Sequence, residues 1–540
     1  LTLNEAIRRA LENNNEIEIA RGDVRLAEAQ LNALVGVFDP VFNYSPQINN
    51  SVRPVVNIFG GANTSGTVAT TDYNNDISIT KQFGRGGGNY QYFFNNTRET
   101  TTASNTTLNP IYSASQGVTF TQPLLRDRSI DGNRRQIRIQ RKRLEQSDAD
   151  FRRSTIDLIA QVQRGYWDLV FSLRDEQNQI ANLNLARENF RRTEASVSAG
   201  ASAPLERAEI QTELSNREAS LLLATQSVSI AENSLKMLLL KDPLAREWSF
   251  AILPTDEPKF DEKPVSLESS LTEARQNRQE LRRLKIQEEI SNIDLQYFKN
   301  QTKPRIDLNS TFSTTGLAGT RLASAAVTTG NTSPLILGPE FANTSASAFL
   351  LQQLRNNGLA IDPIPNVTTQ TSSVPSNLIG GYGQTLQNLF GFKTRNIVFG
   401  ATIQLPFHNR TAEANFATAR IQRDQLGAQM RSQEQTVELE VRNAVQSVTT
   451  AQRRVLAAQA ARENAELQLS GERRLYQVGR STTFLLFQRE NQLVNARNQE
   501  LRAQTDFNKA LAELQRSTST TLSANNVLID SPVVPDKFRD

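Results

Sequence analysis

The chain has 540 residues, of which only 38% are hydrophobic, and its mean hydropathy is −0.47; that balance suits long helices in thin layers better than one thick core. No stretch approaches the roughly 20 apolar residues of a transmembrane helix, so an integral membrane form has to be a closed β-barrel. There are 60 basic and 56 acidic residues for a net charge of +4, and the absence of cysteine excludes disulfides, thiolate metal sites and a cysteine nucleophile.

Leu1 opens directly into LTLNEAIRRALENNNEIEIA with no visible secretory signal, so the numbering reads as that of a mature or trimmed chain. Residues 3–36 read as one amphipathic helix, with Leu3, Ile7, Leu11, Ile17, Val24 and Leu31 among its apolar positions and Gly36 near its end. From Phe38 the period changes to two. Strand candidates lie at 42–48, 76–83, 89–96 and 117–124, within β segments spanning 40–124. The GRGGG between the second and third candidates signals a hairpin. Pro123 is expected to end the fourth strand, because proline has no ladder donor.

A helical run follows over 133–199, with Ile137, Leu144, Phe151, Leu158, Tyr166, Leu173 and Ile180 recurring about every seven residues. At 1.5 Å per residue it is roughly 100 Å long. Gly200 to Pro204 turns the chain into a return helix over 205–240, with Glu206 and Glu209 near its start. Prolines 243, 254, 258 and 264 mark a connector over 244–264 that holds Trp248.

The pattern then starts again: a helix over 266–300, strand segments at 305–315 and 396–406, a long helix over 413–478, a turn at Gly479–Thr483 and a return helix over 484–515. Pro406 stops the last strand as Pro123 stops the fourth. TFTQPLL answers TIQLPF, IQRKRL answers IQRDQL, and VSAGASAPLERAE answers VGRSTTFLLFQRE, at an offset of about 280 residues. Order, lengths and residues all match, which is an internal duplication. Residues 1–243 form the first repeat and 265–515 the second, with a tail over 516–540. The short helices of each half add up to the length of its long helix. They are therefore expected to lie end to end beside it.

Strands of about ten residues suit a tilted crossing of a bilayer core, and four to six strands per chain close no useful barrel and leave open edges. Several chains sharing one barrel, extended by a cylinder of helices, solve both problems and make a conduit. The fold class read from the residues is mostly α with β, an internally duplicated set of long coiled-coil helices continuous with a membrane β-barrel.

The opening LTLNEAIRRALENN, the two strand-to-proline joints, the glycine turns and the duplicated layout resemble the TolC-type outer-membrane efflux protein family over nearly the whole chain. That resemblance implies a homotrimer whose long-helix coiled-coil α-barrel is continuous with a trans-outer-membrane β-barrel, set in the outer membrane and extending into the periplasm. It also implies the exit duct of a tripartite efflux pump or type I secretion system, partnered by a periplasmic adaptor and an inner-membrane transporter. The family's periplasmic mouth falls on residues 197–209 and 476–488. Its acidic positions after the first turn match Glu206 and, less closely, Glu209, and its tyrosine before the second turn matches Tyr476. Its second acidic pair falls on Leu485 and Gln488, and its arginine on Ser481. The cation-binding ring of some relatives is thus not reproduced. Phe484, Leu485 and Phe487 either form an apolar or mixed constriction that gates partly by dewetting, or pack between the helices of a closed tip.

Three copies would close twelve strands with extra extracellular hairpins, the favoured count, or about eighteen. No cofactor, metal or nucleic acid is expected. The cluster Arg134, Arg135, Arg138, Arg141, Lys142 and Arg143 is followed by acids and lacks an aromatic platform, so it reads as a solvated helix face. His408 is the only histidine, no nucleophile elbow or phosphate loop appears, and no enzyme is expected. The Asn-x-Ser/Thr matches at Asn63, Asn105 and Asn331 are of the chance kind. The competing reading is a periplasmic coiled-coil adaptor or scaffold whose β segments form a soluble domain.

Overall fold

The computed structural model describes residues 1–56, 60–61, 66–200, 203–322, 353–354, 356–358 and 374–529. Asn63, Asn331, most of the 316–395 loop and the end of the tail lie outside them. The chain divides into two units, one formed by residues 1–36, 132–299 and 409–540, the other by 37–131 and 300–408.

The first unit is helical. Helices α1 (Leu3–Asn13) and α2 (Asn15–Val35) replace the single helix expected over 3–36. The break is at Asn14, whose ψ of 128° leaves the helical region. Its side chain explains the break: the carbonyl oxygen accepts from the Glu16 N–H at 2.9 Å, capping α2, while its Nδ2 donates to the Leu238 carbonyl at 3.3 Å. Long helix α3 (Gly132–Ser198) and return helix α4 (Pro204–Leu239) follow, with Pro204 in the first turn where its missing N–H costs nothing.

The second repeat reproduces the break. Helices α5 (Leu267–Asn277) and α6 (Gln279–Gln301) are separated at Arg278, whose ψ is 121°. The expected helix over 266–300 is thus also two. Arg278 is buried, and its guanidinium pairs with Glu440 and, at 3.5 Å, with Glu280.

Long helix α3 packs against α1, α2 and α4, as the length argument requires. In the second repeat the expectation holds only in part. Helix α5 and return helix α9 (Thr483–Thr518) pack on long helix α8 (Arg410–Gln477) through Ala274, Val441, Val448 and Phe507, and Leu281 at the start of α6 joins the same cluster. Helix α6 instead runs along α3. Ile286 and Ile290 pack on Ile139, flanked by Arg135–Asp294 at 2.6 Å, Lys142–Glu289 at 2.8 Å and Arg153–Glu280 at 3.3 Å. Three members of the basic cluster are spent on this helix pairing, Arg135 and Lys142 in ion pairs and Arg138 by donating to Gln296 Oε1 at 3.3 Å.

The connector after α4 is tied down by polar contacts. The Leu1 backbone nitrogen donates to the Leu253 carbonyl at 2.7 Å, and the Leu3 N–H to Asp256 Oδ2 at 2.6 Å. The wholly buried Tyr166 of α3 holds its hydroxyl 3.0 Å from both the Leu1 carbonyl and Asp256 Oδ2. Burial pushes that phenol up to about 12. Farther along, Phe260 meets Phe507 edge-on at 5.4 Å.

The second unit is one six-stranded antiparallel meander in sequence order: β1 (Val41–Pro54), β2 (Thr67–Gln82), β3 (Asn89–Thr101), β4 (Leu108–Pro123), β5 (Arg305–Arg321) and β6 (Arg395–Gln404). Every sequence candidate is a strand, and several run well past their expected ends. As expected, β4 ends at Pro123, which pairs with Asp307; one further bond follows, from the Leu124 N–H to the Ile306 carbonyl at 2.8 Å. A short helix, α7 (Tyr382–Phe390), lies on β4 and β5. Gly316 permits the approach, since a Cβ there would stand 2.1 Å from the Thr385 carbonyl oxygen. Thr385 Oγ1 donates to the Tyr112 carbonyl at 3.2 Å and Asn388 Nδ2 to the Leu317 carbonyl at 2.9 Å.

Candidate functional site: the helical tips and the strand faces

The two turns between long and return helices build the tip. Gly200 and Gly479 sit at φ of +71° and +70°, the left-handed region that ends a helix cheaply only with glycine. At the second turn the Gly479 N–H donates to the Tyr476 carbonyl at 3.0 Å and the Arg480 N–H to the Leu475 carbonyl at 2.9 Å. Thr482 then caps α9, accepting from the Leu485 N–H at 3.3 Å. Ser481, at the family arginine position, donates its hydroxyl to Glu472. At the first turn, Ala201 and Ser202 lie outside the described residues.

Several expected mouth residues come together. Glu206, Glu209 and Glu213 of α4 face Phe484, Phe487 and Gln488 of α9 across a cavity of about 590 Å³. The first turn's acids and the second turn's aromatics therefore share one groove. Leu485 and Tyr476 do not line it; both are exposed, as is Phe484 at its outer part.

The expectation of an apolar second tip missed an acid just behind it. Glu490 is 9% exposed, lies 3.4 Å from Arg473, and accepts from Asn189 Nδ2 of α3 at 3.3 Å. Burial outweighs these partners and pushes its carboxyl up from the usual range. Glu213 lies alongside, paired with Arg217 at 2.7 Å and reached by Asn491 at 3.4 Å. Glu490 was findable: it stands four residues after Leu486 and three before Leu493, and both of these pack in the seam with Ala465 and Leu469. An acid at that spacing must face the same seam.

The strand registers sort the sheet into two faces. Opposed residues share a face, and the pairs Tyr44↔Ile77, Ile79↔Tyr92, Tyr92↔Val118, Val118↔Phe312 and Phe312↔Ile397 run across all six strands. One face thus carries Phe42, Tyr44, Ile48, Ile77, Ile79, Tyr90, Tyr92, Phe94, Val118, Phe120, Ile306, Leu308, Ile397, Phe399 and Ile403. The other carries Asn43, Ser45, Gln47, Asp76, Ser78, Thr80, Gln91, Asn95, Thr119, Asn309, Thr311 and Thr402. Phe83 stands 5.5 Å from Tyr90 and 6.0 Å from Phe120, an aromatic cluster at the end where the 83–88 turn lies. Among the described residues no helix is long and apolar enough to cross a membrane, and no cluster of side chains could hold a metal ion.

Comparison with known proteins agrees with this geometry. The sequence matches the model of the outer membrane efflux protein family over residues 90–239 and 365–520. No protein of curated function matches it in sequence. Among solved structures, the outer-membrane channel OprN superposes with a TM-score of 0.61 at 16% identity, over 96% of this chain and 89% of that one. The CmeC outer membrane channel of Campylobacter jejuni gives 0.59 at 15%, over 98% and 90%. The open state of the MtrE outer membrane channel of Neisseria gonorrhoeae gives 0.59 at 16%, over 96% and 88%. At these identities the likeness is one of fold.

Proposed function

Because the chain belongs to the outer membrane efflux protein family, whose model matches more than half of it, we propose that it is the outer-membrane exit duct of an efflux pump or type I secretion system. It is an outer-membrane protein of a channel family, and its work is conduction rather than catalysis. In this reading three copies form the duct, and cargo passes through it without energy input. A periplasmic adaptor, and through it an inner-membrane transporter, engages the tips at Gly200 and Gly479.

The observation that carries the reading is the two-faced sheet. Six strands of 10 to 17 residues present one face whose central band is aromatic and aliphatic and one face that is mostly polar. That is the pattern of a wall between lipid and an aqueous lumen. A soluble scaffold would leave the same face in water, against the usual limit on exposed apolar patches. In this reading the tips form a mouth, and Glu206 and Glu209 give it some preference for cations.

Membrane fractionation and planar-bilayer recording test this together. The protein is expected to stay with the membrane through high salt and carbonate and, once purified, to form discrete channels. Release by carbonate, or a silent bilayer, would defeat the duct.

A further inference from the structure

The sheet has six strands and two free edges. Among the described residues β1 pairs only with β2, and β6 only with β5. Both edges are exposed along most of their length, with Phe42, Tyr44 and Ile48 on one and Ile397, Phe399 and Ile403 on the other. Long free edges of this kind are filled by another strand or they aggregate.

Strands β2 and β3 decide how many strands the wall holds. A twelve-stranded wall built from three copies has room for only four of the six strands of each chain. The hairpin Thr67–Thr101 would have to stand apart from it. Yet β2 is laddered to β1 over fourteen consecutive pairs, from Val41↔Thr80 to Pro54↔Thr67, and β3 to β4 from Asn89↔Thr121 to Glu99↔Ile111. Ile77 and Ile79, with Tyr90, Tyr92 and Phe94, fall on the same face as Val118, Phe399 and Ile403. A hairpin packed beside the wall as an extracellular flap would need no such continuity of face and register. The chain enters and leaves the sheet for its long helical segments at the end of the 83–88 turn. The opposite end carries the longer links over 55–66 and 322–394, the loop asymmetry of an outer-membrane barrel.

Resting on the duct reading, we propose that all six strands lie in the wall, so that three copies close an eighteen-stranded barrel in which β1 of each copy pairs with β6 of the next. The strand count is even and the meander alternates direction, so β6 meets the neighbouring β1 antiparallel and the apolar face runs unbroken around the barrel. With a strand spacing of about 4.8 Å and a tilt of about 40°, eighteen strands enclose a backbone barrel roughly 36 Å across, against roughly 24 Å for twelve. A barrel of that width does not stop bulky cargo in the membrane.

The cysteine-free sequence makes the test direct. Single variants Ile79→Cys, Tyr92→Cys and Phe399→Cys on the apolar face, and Ser78→Cys and Gln91→Cys on the polar face, are labelled with a fluorophore in the full-length protein. They are then reconstituted with brominated lipid. The expected result is quenching at positions 79 and 92 as strong as at 399, with 78 and 91 unquenched. Quenching at 399 without quenching at 79 and 92 would put the hairpin outside the wall and overturn the inference while leaving the duct intact. No quenching at 399 would defeat the duct itself, and the inference with it. Electron microscopy of the protein in nanodiscs counts the strands independently: eighteen supports the proposal and twelve overturns it.

Discussion

Asn189 of α3 donates to the Glu490 carboxylate of α9 across 3.3 Å, linking the long helix of the first repeat to the return helix of the second, 301 residues away. The contact sits about two to three helical turns behind the tip, where any opening has to separate helices that the structure holds together.

Because burial raises the Glu490 carboxyl above its ordinary value of 4.5, the folded tip favours the protonated form. Its contribution is complete below the unfolded carboxylate pKa and is lost as pH rises through the raised folded value. Hydrogen exchange at residues 183–193 and 486–496 is expected to quicken over that rise. Glu490→Gln, which keeps the Asn189 contact without the charge, should flatten the profile. An unchanged profile in the variant would remove Glu490 from tip stability.

The shared groove makes charge at the mouth adjustable from either turn. Glu206→Gln with Glu209→Gln should reduce cation preference in planar bilayers, measured as a smaller reversal potential in a salt gradient. Leu485→Asp, an acid at the exposed second tip, should increase it. If both leave the reversal potential where it was, the tips are not the constriction.

Tyr166 ties the chain start to the connector through its hydroxyl. Tyr166→Phe keeps the ring against Trp167 but leaves the half-buried Asp256, which still accepts from the Leu3 N–H, with one hydrogen bond fewer, at a cost of about 0.5–1.5 kcal/mol. The loss is expected locally, as faster exchange at residues 1–13 and 250–257 rather than in the sheet. Equal acceleration everywhere would mean that the hydroxyl supports the whole fold.

Gly316 is where α7 meets the sheet. Gly316→Val requires the Thr385 carbonyl to move, so α7 should be displaced while β4 and β5 stay paired. Protease cleavage within 376–394 is the readout, and it should rise several-fold. A resistant variant would show that α7 tolerates a different seat.

The sequence by itself determined the long helices, the repeat, the turns at Gly200 and Gly479, and the alternating strands. These rest on local periodicity and on glycine's access to positive φ, which need no partner to be legible. It also carried the signal for Glu490, an acid at seam spacing. What only the tertiary structure decided depends on partners distant in sequence. The helix breaks at Asn14 and Arg278 are held by Leu238, Glu440 and Glu280; without those partners, both stretches look like continuous helix. The strands run past their periodic segments because Asn, Thr and Ser stay hydrogen-bonded after the apolar alternation fades, as from Asn49↔Asp72 to Pro54↔Thr67 in β1 and β2. Helix α6 runs along α3 because complementary charges at Arg135–Asp294 and Lys142–Glu289 choose the neighbour. Ion pairing of that kind is set by which helices meet, and helix periodicity alone does not encode it.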